Sequence, residues 1–290
     1  MGTLSNGTIS LMLLGVSYSF VLPLLLCGIF KMRFRAHIKP FLVGMLTYGA
    51  FSFCLVNIIN GLLLRFVDAS GLSTVLIFIY SLCVQIIGAL IGQVGKYYSL
   101  KVLKNDPKPG KYALRGDALE FGAGFGGLEL FMTVGITMAS YFSYAAILNG
   151  GQAQQFLDSL SGVDQESVQS IFNMIQSATA SDYISIILQG LGMFLFQIGS
   201  SLLVYRAIFG TGSNDKAYFR LAIIFHIIMV VPSCLVKSGI VKTVWFQTII
   251  MVIFGAAVLY YGFDKLKEYE KQRVRDMAAA SKGKKTIHLK

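Results

Sequence analysis

Long apolar stretches alternate with short polar or basic segments along the 290-residue chain. Each apolar stretch has close to 20 residues or more, the length that a helix needs to cross a hydrocarbon layer about 30 Å thick. The pattern therefore predicts an all-α fold, a polytopic membrane helix bundle with about seven transmembrane helices. The predicted spans cover residues 9–30, 41–64, 73–97, 118–148, 183–209, 217–235 and 244–263.

Composition supports this fold class. Hydrophobic residues make up 55% of the chain and charged residues only 13%, and a soluble domain could not bury so much apolar surface. The four cysteines lie singly in different apolar stretches without paired spacing, so we expect them to be reduced, buried, small hydrophobic side chains. They are Cys27, Cys54, Cys83 and Cys234.

The basic residues are distributed unequally between the two predicted sides of the membrane. Segments 31–40, 96–115, 206–220 and 264–290 contain 22 of the 25 Lys and Arg residues, and the opposite side has only Arg65, Lys237 and Lys242. The positive-inside rule then predicts an outside N-terminus and a cytoplasmic C-terminus. The net charge of +11 thus reflects topology rather than nucleic-acid binding, and we expect the basic tail 264–290 to attract anionic lipids.

One polar insertion interrupts the predicted bundle of residues 1–263. Segment 149–182 contains no Lys or Arg, and its apolar residues Val168, Ile171, Phe172 and Ile175 recur at helical spacing. We expect one or two amphipathic helices on the outer surface. They would serve as a packing element or as a lid or partner platform.

The stretch 120–129, which reads EFGAGFGGLE, places two carboxylates and four glycines in one apolar segment. Nine residues of helix put Glu129 about 13.5 Å deeper than Glu120, and an ionisable group near the membrane centre is a functional candidate. Nine steps of about 100° place Glu120 on the opposite helix face. Glycines that remove side-chain bulk let a neighbouring helix or a substrate approach closely; they are Gly122, Gly124, Gly126 and Gly127.

Other spans have polar residues at a similar predicted depth. Gln93, Gln197 and His226 belong to three different spans, and they could meet Glu129 and the adjacent Phe125 at one site. The simpler interpretation of each Gln or His is an interhelical hydrogen bond. Lys96, at the end of its predicted span, is interpreted as an interface anchor.

Three parts of the chain resemble the YhfC-type intramembrane metalloproteases, which are related to the CAAX-processing and bacteriocin-processing membrane proteases. Segment 88–98 is similar to a Glu-Glu-x-x-Arg motif, segment 121–129 to a Gly-x-Gly-His-Gly-Gly-x-Glu motif, and segments 196–204 and 221–226 to later histidine-bearing helices. The resemblance implies a multi-pass protein of the bacterial cytoplasmic membrane. It also implies a zinc-activated water that cleaves peptide bonds, with Glu129 as the catalytic base and histidines as metal ligands.

The chain departs from these motifs where the implied chemistry needs ligands. Of the implied metal ligands only His226 and Glu129 remain, and a catalytic zinc requires three protein ligands and one open position. We therefore expect a degenerate pseudo-protease that does not bind zinc and instead binds a partner protein, a transmembrane segment or membrane lipid. The departures are Gly92, Gln93, Lys96, Phe125, Gln197 and Val230.

Two other functions stay open at this point. The protein could be an active metal-dependent peptidase in which Glu120 or a cysteine joins Glu129 and His226, although the opposite facing of Glu120 argues against it. It could also be a small transporter or channel whose polar path consists of Gln93, Glu129, Gln197 and His226. The absence of an internal repeat argues mildly against transport.

Overall fold

The computed structural model describes residues 4–64, 73–107, 112, 115–212 and 214–287. Within these ranges the side chains are described except at residues 63–64 and 276–287. All regular secondary structure in this part of the chain is helical. The helices are α1 (Asn6–Phe34), α2 (Ile38–Thr47), α3 (Val56–Leu64), α4 (Thr74–Lys104), α5 (Arg115–Leu130), α6 (Ile136–Asn149), α7 (Ala153–Asp158), α8 (Val163–Ser177), α9 (Ala180–Phe209), α10 (Ala217–Lys237) and α11 (Val244–Ile287).

Seven helical segments in the described part of the chain are long and apolar enough to cross a membrane, which confirms the predicted all-α membrane fold. Most of them extend beyond the predicted limits at one or both ends, because polar residues continue several helices past the apolar stretch. The expectation that all four cysteines are buried is wrong, since Cys54 and Cys83 are exposed at the outside of the bundle whereas Cys27 and Cys234 are buried. The orientation of the termini stays a prediction, as does the division into a bundle and a basic tail. The spans are Asn6–Phe34, Ile38–Leu62, Thr74–Lys104, Arg115–Asn149, Ala180–Phe209, Ala217–Lys237 and Val244–Arg275.

Two of these spans contain wide π-helical turns that the regular apolar pattern does not predict. Tyr48–Leu55 joins α2 to α3, and Phe131–Gly135 joins α5 to α6. Such turns insert an extra residue into the helix and frequently occur near functional sites. Both lie beside the cavity described below.

Local sequence explains where the spans begin. The hydroxyl of Ser5 accepts a hydrogen bond from the Thr8 backbone N–H at 3.2 Å, which caps α1. At α9, Thr179 and Asp182 form a capping box, so two backbone N–H groups at this helix end have side-chain partners.

Helix α9 lies at the centre of the bundle, because 61% of its most apolar stretch is buried. It packs closely on α11 through two pairs of glycines seven residues apart. A Cβ atom on Gly199 would lie 2.5 Å from the Leu259 nitrogen, and one on Gly262 would lie 2.6 Å from the Gly199 carbonyl oxygen. Gly192 and Gly255 repeat this contact one step further along. Small residues thus set the spacing of the two helices.

The insertion between α6 and α9 forms the two short helices α7 and α8. Phe172 and Ile175 of α8 are completely buried, and the Phe172 ring contacts Tyr144 with the ring centroids 5.7 Å apart. The apolar face of the amphipathic helix α8 is therefore packed against the bundle.

Candidate functional site

Helices α4, α5, α9 and α10 surround an open cavity of about 390 Å³. Glu129, Gln197 and His226 all line it, so the predicted convergence of polar residues from different spans is present in the structure. Its other polar lining residues are Ser52, Gln85, Thr133, Gln189, Ser233 and Gln247.

Lys96 lies beneath this cavity and is completely buried. Its Nζ donates hydrogen bonds to Gln197 Oε1 at 2.5 Å, Ser200 Oγ at 2.7 Å and the Gln197 carbonyl oxygen at 3.3 Å. These three acceptors match the three N–H donors of an ammonium group. The interpretation of Lys96 as an interface anchor is therefore wrong, because the side chain turns inward to partners on α9 that its own segment does not reveal.

Phe125 forms part of the lysine's surroundings. The Lys96 Nζ lies 4.3 Å from the centroid of the Phe125 ring, a cation–π contact. The edge of Tyr48 packs on the same ring with the centroids 5.4 Å apart. The aromatic ring of Phe125 thus stabilises the positive charge of Lys96 inside the bundle.

Glu129 faces the cavity with an incompletely satisfied carboxylate. No lysine, arginine or histidine nitrogen in the described residues lies within salt-bridge distance of it. Its Oε2 is buried without a hydrogen-bond partner among those residues. One carboxylate oxygen next to the cavity therefore lacks a donor.

His226 is 8% exposed and pairs with the next helix. Its Nδ1 lies 3.1 Å from Gln93 Nε2; with the amide in this orientation Nδ1 accepts, and the ring proton lies on Nε2. The ring also packs on Phe196, with the ring centroids 5.0 Å apart. Gln93 Oε1 is a second buried oxygen without a partner in the described part of the chain.

The four glycines near Glu129 face three helices rather than one. A Cβ on Gly122 or Gly126 would meet Ile198 or Gln197 of α9, one on Gly124 would meet the Phe41 carbonyl oxygen of α2, and one on Gly127 would meet Pro23 of α1. These glycines allow α5 to approach its neighbours closely, and the cavity is formed by other residues.

The described residues do not fit the zinc site that the resemblance implies. Among them no group of three or more His, Cys, Asp and Glu side chains could hold a metal ion. Glu120 does not supply the missing ligand: its side chain is completely buried, and neither of its carboxylate oxygens has a hydrogen-bond partner among the described residues. Since a catalytic zinc needs three protein ligands, Glu129 and His226 are too few.

Comparison with known proteins gives the family. The protein-family model described as YhfC intramembrane metalloprotease matches residues 18–251 of the chain. The chain belongs to the YhfC family. This YhfC protein is similar to the uncharacterized membrane protein YhfC of Bacillus subtilis (strain 168), with 24% identity over 258 residues, which are 89% of this chain and 96% of the relative. No solved structure matches the chain.

Several polar residues of the site in this YhfC protein escaped the sequence reasoning. Ser200 lies three residues after Gln197, a helical spacing that places both on one face, so the sequence contained a signal for Ser200. It contained none for Gln189 and Gln247. The Gln247 Nε2 donates to Gln189 Oε1 at 2.9 Å, a pair that depends on how α9 and α11 pack.

Proposed function

We propose that this YhfC protein is a pseudo-protease that binds a transmembrane segment of a partner membrane protein in the cavity at Glu129. The observation that carries the proposal is the internal ammonium of Lys96, whose three donors are directed at Gln197 and Ser200. A fixed cation occupies the neighbourhood in which the family resemblance implies a metal. Hydrolysis would require a nucleophile that these residues do not generate.

The chemistry of the side chains supports the loss of hydrolysis. Glutamine and phenylalanine replace two implied histidine ligands at Gln197 and Phe125, and neither can activate a water as a zinc site does. Glu129 alone could accept a proton, but a base without an activated nucleophile and a polarised carbonyl has only part of the machinery.

The cavity retains features that suit binding. Gln85 is exposed in the middle of an apolar span, where a polar group that faces hydrocarbon is unfavourable. Glu129 Oε2 has no partner in the described structure, so a ligand that brings an N–H or O–H donor would satisfy it. A transmembrane helix with Asn, Gln or Ser near its midpoint supplies such a donor, and interhelical hydrogen bonds of this kind stabilise membrane helix pairs.

The cavity lining argues for binding rather than for conduction. It includes Glu129, Gln197 and His226 but neither Gln93 nor Lys96, both of which are completely buried. The polar residues therefore end in a packed layer within the described structure, whereas a transport path would need to continue to the basic end of the bundle.

Model transmembrane peptides test the proposal. Two polyleucine helices that differ only in a central Asn or Leu would be titrated into nanodiscs that contain the protein, with fluorescence energy transfer as the measure of binding. We expect the Asn peptide to bind about 3–10-fold more tightly, which corresponds to one membrane hydrogen bond, and Glu129→Leu to remove this preference. Equal binding of both peptides would contradict the proposal.

Two further measurements separate the other functions. Stoichiometric zinc in the purified protein that is lost in Glu129→Ala or His226→Ala would support an active peptidase and reject the pseudo-protease. Solute flux into proteoliposomes that Glu129→Gln abolishes would support a transporter instead.

A further inference from the structure

A second cavity, of about 510 Å³, lies at the basic end of the bundle between the ends of α4 and α9 and the start of α10. Its lining includes three lysines from two elements, Lys101 and Lys104 at the end of α4 and Lys216 just before α10. These cations come from distant parts of the chain and are gathered by the fold around one space.

The charge of this cavity is not balanced by its own residues. Asp215 is the one carboxylate among its lining residues, and its oxygens accept from Arg206 Nε at 3.2 Å and from the Gly212 N–H at 2.8 Å. Lys104 Nζ donates to the Ile208 carbonyl oxygen, a neutral group. None of the three lysines forms an ion pair with a residue that the structure describes.

The cavity lies at the level where aromatic side chains indicate a membrane surface. Tyr97 lines it and packs on Phe219, with the ring centroids 4.9 Å apart. Beside Lys101 on α4, Tyr98 is 57% exposed and Val102 is 71% exposed. A ligand with a charged end in the cavity would thus have an apolar surface next to it, and tyrosines at this level are typical of the interface.

We propose that this cavity binds the phosphate headgroup of an anionic phospholipid, with Lys101, Lys104 and Lys216 as its cationic contacts. Phosphate oxygens accept from ammonium groups, and basic pockets between transmembrane helices are suited to anionic headgroups. The acyl chains would lie along Tyr98 and Val102. The site is separate from the Glu129 cavity, which shares no lining residue with it.

Native mass spectrometry of the detergent-purified protein tests the site with phosphatidylglycerol, phosphatidylcholine and glycerol phosphate as probes. We expect phosphatidylglycerol to bind at least tenfold more tightly than phosphatidylcholine, because only the former has a net negative charge. The combined variant Lys101→Gln, Lys104→Gln and Lys216→Gln should lose that preference. The matched control Lys267→Gln, Lys271→Gln and Lys284→Gln, which removes the same charge from the tail, should lose only the smaller part of it, because the three lysines of the cavity remain.

Two outcomes would overturn the assignment. An equal loss in both triple variants would show that net charge, and not this cavity, attracts the lipid. Glycerol phosphate that binds as tightly as the lipid would assign the cavity to a soluble phosphate compound. The elution of each variant at the same volume as the unmodified protein in size-exclusion chromatography ensures that lost binding is not lost folding.

Discussion

Replacement of the internal lysine by a neutral side chain of similar length, Lys96→Met, should destabilise the protein strongly. Methionine fills the space but donates no hydrogen bond, so Gln197 Oε1 and Ser200 Oγ lose the donor that they share.

The magnitude follows from these contacts. A buried polar group that loses its partner costs roughly 1–3 kcal/mol. In Lys96→Met two such groups, Gln197 Oε1 and Ser200 Oγ, lose their donor, so we expect the free energy of unfolding to fall by about 3–5 kcal/mol. Glu129→Gln leaves all three acceptors of Lys96 in place, so we expect a loss of only about 1 kcal/mol.

The double variant Lys96→Met/Glu129→Gln gives the sharpest comparison. If the two charges interact, the double variant should be more stable than Lys96→Met alone, since it no longer contains an uncompensated carboxylate. Lys267→Met, at an exposed tail position, is the control for loss of a lysine as such.

The assay is the fraction of folded protein that remains after heating in detergent, measured as the native peak in size-exclusion chromatography. At roughly 2–4 °C per kcal/mol, Lys96→Met should lower the midpoint by about 6–20 °C, and the control should leave it unchanged. A Lys96→Met protein as stable as the Glu129→Gln protein would refute the assignment of Lys96 as an internal cation.

Three other predictions follow from the structure. Gly124→Ala should lower the free energy of unfolding by about 1–3 kcal/mol because its Cβ would meet the Phe41 carbonyl oxygen, whereas Gly28→Ala, whose Cβ would have no neighbour within 4 Å, should not; equal midpoints in the same heating assay would contradict the close packing of α5 on α2. Lys96→Met/Phe125→His/Gln197→His, which supplies two histidines and removes the cation beside them, should bind zinc where the unmodified protein does not, as measured by metal analysis of the purified proteins, and its failure would indicate that these positions do not face His226. In a protein without its native cysteines, an impermeant maleimide applied to intact cells should label Ser161→Cys between α7 and α8 but not Lys284→Cys in the tail. The reverse labelling pattern would contradict the predicted orientation.

The sequence was sufficient for the seven spans, because each is a continuous apolar stretch whose length is set by the membrane. It was also sufficient to bring Glu129, Gln197 and His226 to one depth, since distance along a helix converts directly to depth. It did not reveal the partners of Lys96. The residue lies near the end of a predicted span, and only the lateral packing of α4 on α9 shows that its ammonium group turns inward.

The glycines show the same limit. Their density near Glu129 indicates close packing, but which helix each one contacts depends on the arrangement of the bundle. The contact between α9 and α11 through Gly199 and Gly262 was within reach of the sequence, since both helices have glycines seven residues apart. That spacing returns to the same helix face and is typical of a helix-packing seam.

The wide turn Phe131–Gly135, which begins two residues after Glu129, also sets the direction that the α6 half of its span faces. One extra residue in a turn rotates everything beyond it by roughly 100° about the helix axis. Deletion of a single residue there would restore regular winding and rotate all of α6 away from the surface on which α8 packs. A local insertion next to Glu129 therefore sets the orientation of α6 relative to the rest of the bundle, and a change in its length would rotate α6 without altering the polar residues of the cavity.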